Sequence, residues 1–182
     1  YPNNDMGMPD TKVISKNGRA NPEGINYLYL AEDKDTVIAE LRPDINCYVT
    51  IGEFKVLRDI KVLELSNCFV HSKLDIVVLA LELGLKFALP VDKENIDSVY
   101  ILTQYFTEIT KNHDSYKKGI KYLSSVMDRK IRSAKYTSDV TYGRHFNIAL
   151  FEEANTECIK TKVYQVLNNE CKDEYKYEYK EI

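Results

Sequence analysis

Arg19, Tyr29, Glu40 and Ser124 are the side chains of this sequence whose types and settings suit chemistry. Arg19 lies in "KNGRANPEG", a loop dense in turn formers just ahead of a strand. A guanidinium there can grip a diphosphate or a carboxylate with two parallel bonds. Glu40 lies near the end of a short helix, about 60° around the axis from Val37, so it borders the apolar face instead of opposing it. A carboxylate at such a border can face a cleft and have its chemistry set by partial burial. Tyr29 follows the two-residue period of a strand and can present an aromatic plane beside that cleft. Ser124, in "YLSS" at the end of another strand, can donate to a ligand oxygen. Each also has a plain structural reading: a solvated loop arginine, a core tyrosine, a surface glutamate, and a serine that closes its strand's backbone bonds.

These residues need elements to position them, and the chain supplies a readable set. Residues 1–24 are rich in Pro, Gly, Asn and Asp and read as irregular, with 1–16 a lead-in. "INYLYLA" (25–31) reads as a strand with Tyr27 and Tyr29 on one face. Asp35 is expected to cap a helix from about Thr36 to Arg42, stopped by Pro43, with Val37 and Leu41 turned inward. Further strands are expected at 47–54, 61–66, 119–125 and 146–151, and long helices at 72–89 and 93–111. The ending "EYKYEYKE" alternates Tyr175, Tyr177 and Tyr179 with charges, so 172–182 reads as an edge strand. Strands at both ends with helices between them predict an α+β fold with a split, mainly antiparallel β-sheet. Neither a Rossmann glycine fingerprint nor a P-loop is present, and no internal repeat is found.

Composition narrows the function classes. The 182 residues are most simply one domain, with 44% apolar and 29% charged residues, as in a soluble globular protein. A net charge of −3 provides no field that would draw the chain to nucleic acid or to an anionic membrane. The longest apolar stretch, 76–91, is broken by Glu82 and Lys86 and is too short to span a bilayer. Cys47, Cys68, Cys158 and Cys171 are scattered without a paired spacing, which favours a reducing cytoplasm over a disulfide framework. His71, His113 and His145 are equally scattered, so no metal site is expected. The chain opens on Tyr1 and shows no signal peptide, and it is expected to be a piece of a longer protein.

Taken together, the motifs resemble the RES domain, a family named for its arginine, glutamate and serine. Gly18-Arg19-Ala20-Asn21 is similar to the family's G-R-x-N loop, and Leu28-Tyr29-Leu30-Ala31 to its L-Y-L-A strand. Thr36-Val37-Ile38-Ala39-Glu40 matches the helix that carries the glutamate. Gly119-Ile120-Lys121-Tyr122-Leu123-Ser124 resembles the G-I-x-Y-x-S strand, and Asn147-Ile148-Ala149-Leu150-Phe151 the N-hydrophobic-L-F strand. Gln104, in "YILTQYF", matches a weaker helical feature. The resemblance runs in order through residues 17–151. Leu123 replaces a proline that often precedes the serine, and Ser125 offers a second hydroxyl. Residues 128–144 read as a loop insertion with five basic residues, Arg129, Lys130, Arg132, Lys135 and Arg144.

The resemblance implies an ADP-ribosyltransferase-like split sheet holding NAD+ in a cleft, in a bacterial toxin. It implies cleavage of NAD+ by a glycohydrolase or phosphorylase, with water or phosphate as acceptor, or transfer of ADP-ribose to a protein. A non-catalytic interaction domain on the same scaffold is a third reading. Carried over, Arg19 would hold the diphosphate, Tyr29 would pack beside the nicotinamide ribose, and Glu40 would be the key carboxylate. Ser124 would hydrogen-bond the substrate, and Asn21 would join the binding loop. The expected partners are NAD+ itself and a cognate antitoxin or an upstream regulatory domain, with no direct nucleic-acid or membrane contact.

Overall fold

A computed structural model describes residues 5–10, 12, 16–65, 87, 96–113, 117–124, 126, 145–153, 155–171 and 175–181. In chain order these form β1 (Leu28–Ala31), α1 (Lys34–Leu41), β2 (Tyr48–Val56), β3 (Lys61–Glu64), α2 (Ile96–His113), β4 (Lys117–Leu123), β5 (Phe146–Leu150), β6 (Thr156–Cys171) and β7 (Tyr175–Glu181). The strands make a four-stranded sheet ordered β1-β5-β4-β3 and a three-stranded sheet ordered β2-β6-β7. Only the β3–β4 pair is parallel; the other pairs are antiparallel. The fold is therefore α+β with two mostly antiparallel sheets, as the sequence led us to expect.

Register decides which side chains share a face of the first sheet. Tyr29 stands opposite Ala149, Ala31 opposite Asn147, Ala149 opposite Ile120, and Asn147 opposite Tyr122. Side chains alternate along a strand, so Tyr27, Tyr29, Asn147, Ala149, Ile120 and Tyr122 lie on one side. The core forms there from Ala20, Tyr27, Leu65, Phe87, Ile120, Tyr122, Ala149 and Phe151, with Phe106 of α2 packed against it. Phe87, itself helical, stacks 5.3 Å from the Tyr122 ring and meets Phe106 edge-on at 6.4 Å. Opposite that face, Lys121 reaches Glu32 at 2.6 Å and lies 4.2 Å from the Phe146 ring centre.

Several expectations are corrected. The cap of α1 is Asp33, not Asp35: Asp33 has extended backbone, and its side chain accepts from Thr36 N at 2.8 Å. Asp35 instead sits in the first turn, where a negative charge suits the helix dipole. The inward residues of α1 are Thr36, Ile38 and Ala39, not Val37 and Leu41, and Leu41 is 58% exposed. The reason is that α1 is covered on more than one side, touching β1 of one sheet and β2 and β7 of the other. Arg42, at φ 48°, ends the helix in the left-handed region, and Pro43 follows. The first strand starts at Leu28 because residues up to Asn26 are spent on loop bonds, including Ile25 N to Pro22 O at 3.2 Å.

The sixteen-residue β6 is a further correction, since its sequence "TECIKTKVYQVLNNEC" was not read as a strand. Its apolar residues do not alternate cleanly, and among its residues with described burial only Tyr164 and Val166 are both buried and large and apolar. The last strand does lie at a sheet edge, as Tyr175–Glu181. The expected helix at 72–89 lies outside the described residues except for Phe87, and the insertion at 128–144 lies wholly outside them. No helix among the described residues is long and apolar enough to cross a membrane.

Candidate active site

The loop that carries Arg19 is built around one polar side chain of its own, Asn21, one from β1, Tyr29, and two from α2. Asn21 is 3% exposed; its amide donates to Ile25 O at 2.8 Å, and its Oδ1 accepts from the Tyr29 hydroxyl at 2.6 Å. That hydroxyl in turn accepts from Ala20 N at 3.1 Å. From α2, Gln104 Nε2 donates to Gly18 O at 2.9 Å and Asn21 O at 3.0 Å, while Thr103 Oγ1 donates to Arg19 O at 2.6 Å. Backbone carbonyls in a loop have no ladder to join, and these helix side chains satisfy them. Gly18 is required by this closeness: a methyl there would run into Asn21 Oδ1 and lie 2.6 Å from the Tyr29 hydroxyl.

The Arg19 side chain is half-buried and donates from Nη1 to Phe87 O at 2.8 Å, with its Cζ 5.8 Å from the Tyr100 ring centre. The guanidinium is thereby aimed by a carbonyl on one side and an aromatic ring on another. Tyr29 is 43% exposed as a residue, while its hydroxyl is bonded within the loop to Ala20 N and Asn21 Oδ1. Burial pushes that hydroxyl up to about 12, although its bonds with Ala20 and Asn21 and the Arg19 charge act the other way. It is a neutral donor at physiological pH.

Glu40 projects from the last turn of α1 and is half-buried. Its Oε1 accepts two hydrogen bonds, from Ser124 Oγ at 2.7 Å and from Asn147 Nδ2 at 2.6 Å. Ser124 is fully buried just past the end of β4, and Asn147 is 7% exposed on β5. Both bonds are short, as expected when an ionised oxygen accepts.

Tyr122 of β4 lies on the same face of the sheet as Tyr29 and Asn147. It is buried against Phe87, and burial raises its hydroxyl well above the ordinary tyrosine range. Tyr29 and Glu40 add to that rise and Arg19 opposes it, so these groups lie within electrostatic reach of one hydroxyl. Ser124 is bonded directly to Glu40, while Arg19 is tied to Phe87 and to α2, and Tyr29 to the loop. Asn21 serves as the loop's internal brace.

Sequence reasoning did not single out Asn147, Tyr122 or Thr103 as parts of the site. Asn147 gave a signal, because a polar amide inside the apolar strand "FNIALF" must find a buried partner. Thr103, Thr107 and Thr110 form the buried face of α2, whereas Ile101, Leu102, Tyr105 and Ile109 are exposed. A reading based on hydrophobic period alone turns that helix the wrong way.

A third cluster fastens the N-terminus of α1. Asp33 Oδ2 accepts from Thr36 Oγ1 at 2.7 Å and meets His145 Nδ1 at 3.1 Å. His145 O accepts from Ser124 N at 2.8 Å, so the same residue steadies the serine. Burial pushes the Asp33 carboxyl up, but hydrogen bonds from the Thr36 hydroxyl and amide and from His145 outweigh it and hold the carboxyl below its usual range. Among the described residues, no group of three or more His, Cys, Asp and Glu side chains could hold a metal ion.

A family model described as the RES domain matches residues 5–172 of the 182-residue chain. No curated protein and no solved structure matches.

Proposed function

The chain belongs to the RES domain family, and from that membership and the setting of Glu40 we propose that it cleaves NAD+ at the bond between nicotinamide and ribose. The observation that carries the reading is the Glu40 carboxylate, with one oxygen held by Ser124 at 2.7 Å and Asn147 at 2.6 Å. The reading includes an ADP-ribosyltransferase-like cleft formed on the Tyr29–Asn147–Tyr122 face of the sheet.

The chemistry gives each group a task. When the C1′–N bond breaks, its electron pair stays on nicotinamide, which leaves as a neutral molecule. Positive charge then builds on the ribose, and a fixed carboxylate beneath it stabilises that transition state. Arg19 holds the diphosphate and so converts binding into orientation. Exposed Tyr29 offers a surface for the nicotinamide ribose. Ser124 helps to fix the carboxylate. Water or phosphate attacks C1′ and loses its proton to solvent, giving ADP-ribose or its phosphate. Such a glycohydrolase or phosphorylase would drain the cell's NAD+ and would need a silencing partner, either an antitoxin protein or an upstream regulatory domain.

The test is NAD+ consumption by the purified chain with and without inorganic phosphate, beside Glu40→Ala. Consumption abolished by Glu40→Ala supports the reading, and phosphate dependence identifies the acceptor. A target protein made heavier by one ADP-ribose, with no free ADP-ribose or phosphorylated product, would replace it with protein modification. A folded chain inert in both assays would leave a binding domain.

A further inference from the structure

The two hydrogen bonds on Glu40 arrive at the same oxygen, and their donors differ in kind. Ser124 presents a hydroxyl just past the end of β4, whereas Asn147 presents an amide from β5, an interior strand of its sheet. Asn147 is paired on both sides, with Ala31 of β1 and Tyr122 of β4, and only 7% of its surface is exposed. A buried amide on a strand fixed from both sides is the most rigid reference available to a side chain on the last turn of a short helix. The amide nitrogen can only donate, so it accepts no proton from the carboxyl. The opposite amide orientation would set its oxygen against a carboxylate oxygen and is repulsive.

We propose that Asn147 is a positioning residue for Glu40: with Ser124 it occupies Oε1 and so presents Oε2 to the sugar. Among the described residues no donor reaches Oε2. The assignment rests on the reading of Glu40 as the carboxylate that meets the developing ribose cation. It divides the carboxylate into an anchored oxygen and a working oxygen, and it places the anchor on the sheet instead of on the helix that carries the glutamate. Without Asn147, Ser124 alone would allow Glu40 to swing about a single bond.

The test compares Asn147→Leu and Asn147→Asp in the full chain. Asn147→Leu keeps the volume and removes the donor. It is expected to lower kcat by about 10- to 100-fold, the range for one hydrogen bond to a charged group, with KM little changed. In Asn147→Asp the introduced carboxyl shares one proton with Glu40 and donates to Oε1 while that proton is present. That variant should work at acid pH and lose activity as the pH rises, through repulsion between two carboxylates. Asn147→Leu should stay low at every pH.

Unchanged kcat in Asn147→Leu, a change confined to KM, or an Asn147→Asp profile that parallels wild type would overturn the proposal. The 13C resonance of the Glu40 carboxyl supplies a readout that does not need turnover. It should move in Asn147→Leu, and an unmoved resonance overturns the assignment. A wild-type chain that consumes no NAD+ while that resonance moves would sink the proposed activity and leave the anchoring intact.

Discussion

Glu40 is held at Oε1 by Ser124 and Asn147, so its charge and its position can be tested separately. Glu40→Gln keeps the length of the side chain and deletes the charge. It is expected to lower kcat by at least about 10²-fold while KM changes little, because the lost interaction is made chiefly in the transition state. Steady-state kinetics on NAD+ would check it, and a variant that loses only KM would place the carboxylate in binding instead. Ser124→Ala leaves the Asn147 bond in place and should fall between wild type and Glu40→Gln. Arg19, Glu40 and Ser124 were legible because their types, order and surrounding motifs repeat a family pattern. Asn147 was read only as part of a strand motif, since its role depends on a contact with a residue 107 positions away.

Helix α1 carries the glutamate but does not fix itself. Its start depends on Asp33, and its burial depends on strands from both sheets. Asp33→Ala removes the cap and should destabilise the fold by about 1 kcal/mol, measured by urea denaturation. The same carboxyl predicts an acid dependence. Its folded-state pKa is lowered, so the stability it contributes is complete above the ordinary aspartate range, near 4. That stability is lost as pH falls through the folded value. Asp33→Asn retains an acceptor for Thr36 N and should flatten this part of the melting-temperature profile below about pH 4; a profile that still tracks wild type there would assign the acid sensitivity to other carboxyls.

The Arg19 loop depends on α2 in the same way. Gly18→Ala would force the Tyr29 hydroxyl off Asn21, and a cost of about 1–3 kcal/mol is expected from overpacking, with weaker substrate binding as the loop shifts. Urea denaturation and KM for NAD+ check this, and an unchanged pair of values would mean that the loop tolerates the methyl. At this scale, sequence reading found most elements but misjudged their faces. The cap moved from Asp35 to Asp33 because capping follows backbone geometry that residue type alone does not reveal. The stripe of α1 was wrong because a helix between two sheets is covered on several sides. Strand β6 was missed because sheet pairing, not alternation, holds it.

At the scale of the molecule, α2 braces the arginine loop and β5 holds the Glu40 carboxylate, and the proposed NAD+ site would need both. The α+β class was legible from the order of elements, but this arrangement was not, because it needs Asn21, Tyr29 and Gln104 to meet across the chain. A ligand that spans both parts binds only when both are formed, and therefore stabilises the native state as a whole. Free ligand at about 100 times Kd adds about 2.7 kcal/mol. In a chain of this length that raises Tm by roughly 5–10 °C. Glu40→Gln is the form in which to measure it, since on the proposed mechanism turnover would be slowed while the proposed contact of Arg19 with the diphosphate would remain. NAD+ should raise its Tm by that amount, and ADP-ribose should do so in part. Arg19→Ala should shift much less at the same ligand concentration, even allowing for a lower starting Tm after loss of the bond to Phe87 O. Equal shifts in the two variants would mean that Arg19 aims the loop without touching the ligand, and that the diphosphate is held elsewhere.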